Sequence, residues 1–315
     1  MLRRSLLAAT ALPFVARAQG AFPNRPIRVI APFAPGGIVD VLARLLADRM
    51  ARSIGQPVVV ENRPGAGGNV GTALVARARG DAHVLLIGSS GPLAVSPTTE
   101  ANLPYDPLTD LTPISLIGGT PLVLVVPAAS PARDVPGLIA LLKAEGREIL
   151  WPTPGVGSPG LLAGEAFRQA AGFPASPVHY PGSPQVVLSV INREFPFCIE
   201  NPLLVLPHIQ AGTLRAIATT APAPAGMFPD VPLISATLPS VSASGWYAVL
   251  APAGIGAEAQ AKLAAETVAA LRDPDVTARL TAMAMTVAAS DPAALTAHIV
   301  AETARWRGVL AGAGK

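Results

Sequence analysis

The chain has 315 residues, half of them apolar, with 23 basic against 20 acidic side chains and a single cysteine. Three of the basic residues, Arg3, Arg4 and Arg17, lie in a removable-signal pattern; without them the balance is 20 against 20, so the isoelectric point of 9.4 gives no reason to expect nucleic acid. Cys198 has no second thiol to pair with, which excludes an internal disulfide and leaves stability to the core.

Residues 1–18 combine a basic start, the apolar run Ser5 to Val15 and the small-basic-small triplet Ala16-Arg17-Ala18. This pattern predicts a cleaved export signal, too short to span a bilayer, and hence a periplasmic protein. Arg3-Arg4 leaves both the general secretory and the twin-arginine routes open. The remaining 297 residues (315 less 18) suffice for one large or two ordinary domains, and no later apolar run approaches the roughly 18 residues of a membrane span.

The first element is the strand around Arg28 to Ala31, which meets Pro35-Gly36-Gly37 and continues as a helix whose Ile38, Val41, Leu42, Leu45 and Leu46 share one face. Asp40 falls in its first turn, where a negative charge suits the helix dipole. A strand at Pro57 to Glu61, a helix at Val70 to Arg77 and a strand at His83 to Gly88 then predict βαβαβ order and a parallel sheet. Leu122 to Val126 reads as a buried strand, followed by a helix over Gly137 to Lys143. Strands near Glu148 to Trp151, Val178 to Tyr180, Pro196 to Ile199 and Leu214 to Thr219 alternate with helices over Leu161 to Ala171, Gln185 to Ile191 and Leu203 to Ile209.

Ser158-Pro159, Ser183-Pro184 and Asn201-Pro202 each set a capping residue before a proline, as do Asp273-Pro274 and Asp291-Pro292. The proline-rich stretch Ala221 to Pro239 reads as a long connection before a strand at Trp246 to Leu250 and a helix at Ala257 to Leu271. The simplest organisation is two α/β lobes: residues 19–123 and 221–315 in the first, with the last helices packed on it, and residues 124–220 in the second.

Five glycine- or proline-marked junctions stand between strands and helices: Pro35-Gly36-Gly37, Asn62 to Val70, Gly155 to Gly160, Gly182 to Pro184, and Glu200 to Pro202. The first N–H groups of a helix lack internal partners and carry partial positive charge, so such junctions suit a small carboxylate or phosphate. Ligands of open α/β sheets bind beyond the carboxyl ends of strands, where these turns fall.

Enzymatic alternatives fare worse. Gly155 to Gly160 is a literal G-x-G-x-x-G, but Val178-His179-Tyr180 stands where a nicotinamide site expects an acid. There is no G-x-S-x-G elbow, and Ser89, Ser90 and Ser158 have no base evident in the sequence. His83, His179, His208 and His298 lack metal-ligand spacing, so neither a metal nor a cofactor is expected. Cys198 reads as a buried filler, and Trp246-Tyr247 as core or hinge packing.

FPNRPIRVIAPFAPGGIVDVLARLLADRM at Phe22, GQPVVVENRPGAGGNVGTALVARA at Gly55, LPYDPLTDLTPISLIG at Leu103 and WYAVLAPAG at Trp246 resemble the extracytoplasmic receptors of tripartite tricarboxylate transporters, the Bug proteins. The resemblance runs from about Phe22 to Leu310. It implies a type II periplasmic-binding-protein fold, two α/β lobes with a cleft between them, a small organic carboxylate as ligand, membrane permease subunits as partners, a monomer and no catalysis; a sensing role through a partner protein is the alternative. Carried over from the family, Phe33, Ala34, Gly36 and Gly37 on one lobe and Gly157 and Ser158 on the other hold the ligand's carboxylate. Ser89, Ser90, Thr153, Tyr180, Gly182 and Glu200 occupy further positions bordering the cleft. Two departures stand out: Leu161-Leu162 replaces the family's usual His-Leu, and Glu200-Asn201 its usual Asp-Asn. Glu200 is open between a solvated acid at a helix start and a group selecting a ligand ammonium or hydroxyl, and Tyr180 between a cleft hydroxyl and a surface one.

Overall fold

Three β-branched runs, β1 (Ile27–Ala31), β2 (Val58–Asn62) and β3 (Val84–Ser89), pair in parallel with β1 in the middle. Their crossovers are α1 (Ile38–Ile54) and α2 (Asn69–Arg77), close to the expected bounds. The computed structural model describes residues 22–155, 157–221, 227–241 and 244–313, so the expected signal lies outside the described residues.

After β3 a wide helical turn, Gly91–Val95, runs into α3 (Ser96–Thr99) and then into the long strand β4 (Leu111–Pro121). Far along the chain, β10 (Ser244–Pro252) inserts antiparallel between β3 and β4, and β11 (Thr286–Val287) covers the outer edge of β4. The sheet order is β11-β4-β10-β3-β1-β2, mixed where the strand-helix alternation predicted a parallel sheet. The reason is the path of the chain: Tyr247 near the start of β10 faces Ser89 at the end of β3, so the returning chain enters the sheet where β3 leaves it. Sequence reading missed β4 because Pro113, Gly118, Gly119 and Pro121 look like breakers. The strand tolerates them through two register shifts against β10, one of them beside the Leu250 and Pro113 pair.

Alternation along β10 shows how this lobe is layered. Tyr247, Val249 and Ala251 pack with α1, α8 (Ala257–Leu271) and α9 (Pro274–Ala282), whereas Trp246, Ala248 and Leu250 pack with Leu295, Ile299 and Trp306 of α10 (Pro292–Ala313). The last helices therefore pack on the first lobe's sheet.

The second lobe repeats the device in smaller form. The strand β5 (Val123–Pro127) lies antiparallel between β8 (Cys198–Glu200) and β9 (Leu214–Thr219), and β6 (Ile149–Thr153) pairs in parallel with β7 (Ala175–His179). Leu124 and Val126 face an aromatic cluster of Trp151, Phe167, Phe173 and Phe197; Val123 and Val125 face Val186, Val190 and Val205. The helices are α4 (Val135–Ala144), α5 (Pro159–Ala171), α6 (Ser183–Ile191) and α7 (Pro202–Gln210). Phe228, Ile234 and Val241, beyond the Ala221 boundary expected from sequence, also pack in this lobe's clusters. Between β4 and β5, Leu122 is tied to Thr220 just after β9: the Thr220 N–H donates to the Leu122 carbonyl at 2.9 Å, and the Leu122 N–H donates to the Thr220 hydroxyl at 2.8 Å.

Candidate functional site

Four helices begin where the lobes meet, α1 from the first and α5, α6 and α7 from the second. Ser158 caps α5 by accepting the Leu161 N–H at 3.2 Å, and Asn201 caps α7 by accepting the Leu203 N–H at 3.0 Å. The other two helices start at Gly37 and Gly182, residues with no side chain to cap with. Ser183, expected to cap α6, is instead its first residue, because Gly182 takes the extended cap position. Two first turns, one on each lobe, thus keep uncapped donors at the positive end of a helix dipole.

All four starts line one cavity of about 30 Å³, together with Phe33, Ala34, Ser89, Leu122, Pro154, Glu200 and Tyr247. Since a water needs roughly 10–15 Å³ in the same measure, that space admits one carboxyl-sized group, and a longer ligand requires the lobes to part. The lobes touch around it. A Cβ on Gly182 would lie 2.9 Å from the Cβ of Ala34, and one on Gly91 would collide with the Gly157 carbonyl. Leu162 of α5 is buried in the first lobe's apolar cluster, and Leu203 of α7 packs on the other face of that lobe's sheet.

The turn that presents Gly37 is braced from behind by Asp40. Its carboxylate accepts the Gly36 N–H at 3.0 Å and the Asn62 amide at 2.9 Å and pairs with Arg44 at 2.9 Å, while Asn62 also donates to the Phe33 carbonyl at 3.0 Å. Burial disfavours the Asp40 charge, but Arg44, the Gly36 N–H and Asn62 outweigh it and hold the carboxyl below its ordinary range.

Three polar atoms at or behind the cavity wall are buried without a hydrogen-bond partner: Ser89 Oγ, Ser90 Oγ and Glu200 Oε1. Glu200 is 3% exposed, which overturns the solvated-acid reading. Burial pushes its carboxyl up to about 7, against the Asn201 N–H, which donates to Oε2 at 3.1 Å, and the nearby Ser183 hydroxyl. Tyr247, 2% exposed, is both core and cavity wall, and burial together with Glu200 raises its phenol.

Of the residues singled out from sequence, Phe33, Ala34, Gly37, Ser89, Ser158, Gly182 and Glu200 line this cavity. The other five stand around it. Gly36 is engaged with Asp40, Ser90 is buried outside the lining, and the Thr153 and Ser158 hydroxyls bond each other at 3.1 Å. Gly157 packs against Gly91. Tyr180 lies edge-on to Phe195 at 6.3 Å and lines a second cavity of about 160 Å³ with Gly65 to Gly68, Gly155, His179 and Pro181; Phe33 and Pro154 belong to both cavities. Sequence reading missed Leu122 and Tyr247 as wall residues, whereas Ser183 and Asn201 lie in the junctions it marked for an anion. Both missed residues read as buried, and the long-range pairing of β10 with β3 is what brings Tyr247 to the cleft.

Among the described residues lining the first cavity there is no lysine, arginine or histidine, and Glu200 is the sole carboxylic acid. No cluster of three or more metal-ligating side chains occurs among the described residues, and no helix there is long and apolar enough to cross a membrane. Cys198 is fully buried in β8, where burial and Glu200 raise its thiol well above the ordinary value.

Residues 42–314 match the sequence pattern of the tripartite tricarboxylate transporter family receptor. Protein BugT of Bordetella pertussis is 37% identical over 295 residues, which cover 93% of this chain and 90% of that protein. The solved periplasmic binding protein BugD superposes with a TM-score of 0.89 at 27% identity, over 93% of this chain and 99% of BugD. An R. palustris protein solved with adipate gives a TM-score of 0.89 at 30% identity, over 93% of this chain and 98% of that one.

Proposed function

We propose, because the chain belongs to the tripartite tricarboxylate transporter receptor family, that it captures a small organic carboxylate between its two lobes in the periplasm and delivers it, chemically unchanged, to a membrane permease of that transporter type. The observation that carries this reading is the pair of uncapped helix starts, Gly37 to Val39 on one lobe and Gly182-Ser183 on the other, opening onto one cavity. An anion there answers donors from both lobes at once. Binding shifts an open-to-closed equilibrium only through contacts that differ between the two states, and a ligand gripped from both sides supplies such contacts.

In this reading Gly182-Ser183 supplies lobe-two donors beside the backbone expected at Gly157-Ser158, where the Ser158 N–H already bonds the Gly155 carbonyl at 3.2 Å and its hydroxyl serves Thr153 and the Leu161 N–H. Phe33, Ala34 and Gly37 complete the first-lobe side. The second cavity, shared through Phe33 and Pro154, holds the part of the ligand away from the carboxylate. The relative solved with adipate supports the ligand class.

A thermal-shift screen of the mature chain against small organic acids tests this reading, since a ligand that binds only the native state raises the melting temperature by mass action. A carboxylate present at about a hundred times its dissociation constant adds roughly 2.7 kcal/mol. The expected result is a shift for one or more carboxylates, none for the corresponding amides, and full recovery of the ligand. No shift across the panel, or conversion of the ligand, would overturn it.

A further inference from the structure

Resting on the carboxylate reading, the geometry points to a ligand that carries, besides its carboxylate, a hydrogen-bond-donating substituent, an ammonium or a hydroxyl, which it presents to Oε1 of Glu200. Glu200 then selects among carboxylates, while the helix starts hold the group they share.

Two independent observations meet here. The first is the orphaned oxygen: Oε2 of Glu200 accepts the Asn201 N–H, but Oε1 is buried without a partner in the wall that Gly160, Ser183 and Tyr247 complete. A buried acceptor left unmet is costly, and a donor on the ligand meets it. The second is the charge in the cavity. No cationic side chain is among its described lining residues, and a helix start offers about half a positive charge. Two uncapped starts therefore balance one carboxylate. A second carboxylate pressed against the ionised Glu200 would have nothing to balance it, whereas an ammonium balances that charge and a hydroxyl adds none.

The groups facing Glu200 keep the selection simple. Tyr247 and Cys198 are both raised by burial and by Glu200, so both stay neutral at physiological pH. Asn201 and Ser183 are uncharged donors. Burial favours the protonated acid in the free protein, and an arriving ammonium reverses that preference. An ammonium ligand consequently expels a proton from Glu200 on binding, and an unsubstituted carboxylate does not.

Isothermal titration calorimetry on the mature full-length chain tests this with three matched triplets: propionate, L-lactate and L-alanine; succinate, L-malate and L-aspartate; phenylacetate, mandelate and phenylglycine. The expected result is a hydroxyl or ammonium member binding at least tenfold tighter than its unsubstituted counterpart. Titration near pH 6 in buffers of different ionisation enthalpy should show proton release for an ammonium member only. Glu200→Gln should reduce the preference below threefold and abolish the release. The wild-type comparison and the proton count stand by themselves if that variant does not fold. Unsubstituted members binding as tightly as substituted ones would overturn the inference and leave the carboxylate reading intact; no binding by any of the nine would overturn both.

Discussion

Gly37 and Glu200 make opposite demands on the cleft, one by lacking a side chain and the other by burying one. Gly37 has an ordinary backbone conformation (φ −79°, ψ 168°), and a Cβ there would meet only the Ala34 carbonyl at 3.6 Å, so the fold tolerates a side chain. A branched side chain would nevertheless stand in the cavity between ligand and helix start. Gly37→Val should therefore weaken binding tenfold or more in calorimetry, with a melting temperature within about 2 °C of the parent; unchanged affinity would remove this turn from the site. For Glu200 the folded value near 7 lies above the ordinary 4.5, so the folded chain holds a proton that the unfolded chain has already lost between those limits. The associated stability is complete below about pH 4.5 and disappears as pH rises through 7, on the order of 3 kcal/mol in all. Asp40, held below its ordinary range, acts in the opposite sense and only at lower pH. Wild type minus Glu200→Gln, followed by melting temperature from pH 4.5 to 8, isolates the glutamate: the difference should move in favour of the variant as pH rises, and a flat difference would contradict its buried state.

Among elements, the proposed closing of the cleft rests on α1 and α5. Asp40 ties the start of α1 to the turn before it, so Asp40→Asn, which loses the charge pairing with Arg44, should loosen the turn and weaken binding about tenfold, with a smaller loss of stability. Leu162 of α5 is buried against the first lobe, and burying a leucine is worth roughly 1.5–3 kcal/mol. Leu162→Ala should favour the open form and weaken ligand binding tenfold or more while each lobe keeps its own core; an affinity equal to the parent's would show that this contact does not contribute to closure. Elements were also where sequence reading succeeded and failed for visible reasons. The amphipathic faces of α1 and α8 and the proline-marked starts of α5 and α7 are local signals, and their bounds fell within a few residues. In contrast, β4 was hidden by Pro113 and Gly118-Gly119, because a bulged pairing that excuses breakers depends on a partner more than 120 residues away.

At the scale of the whole molecule, the lobes and their cleft followed from strand-helix alternation and from motif resemblance, but the meeting of their helix starts did not. Which two first turns stay uncapped depends on Gly182 taking the extended position that Ser183 was expected to fill, a detail of backbone that composition cannot carry. Tyr247 was read as packing and is packing; it also walls the cleft because β10 returns between β3 and β4. The most direct measurement of the central claim is a crystal structure of the protein with a carboxylate that raises its melting temperature. The account predicts carboxylate oxygens within hydrogen-bond distance of N–H groups at Gly37 to Val39 and of those of Gly182, Ser183 or Gln185 together. A carboxylate held by one lobe alone, or by a cationic side chain outside the cleft, would contradict it.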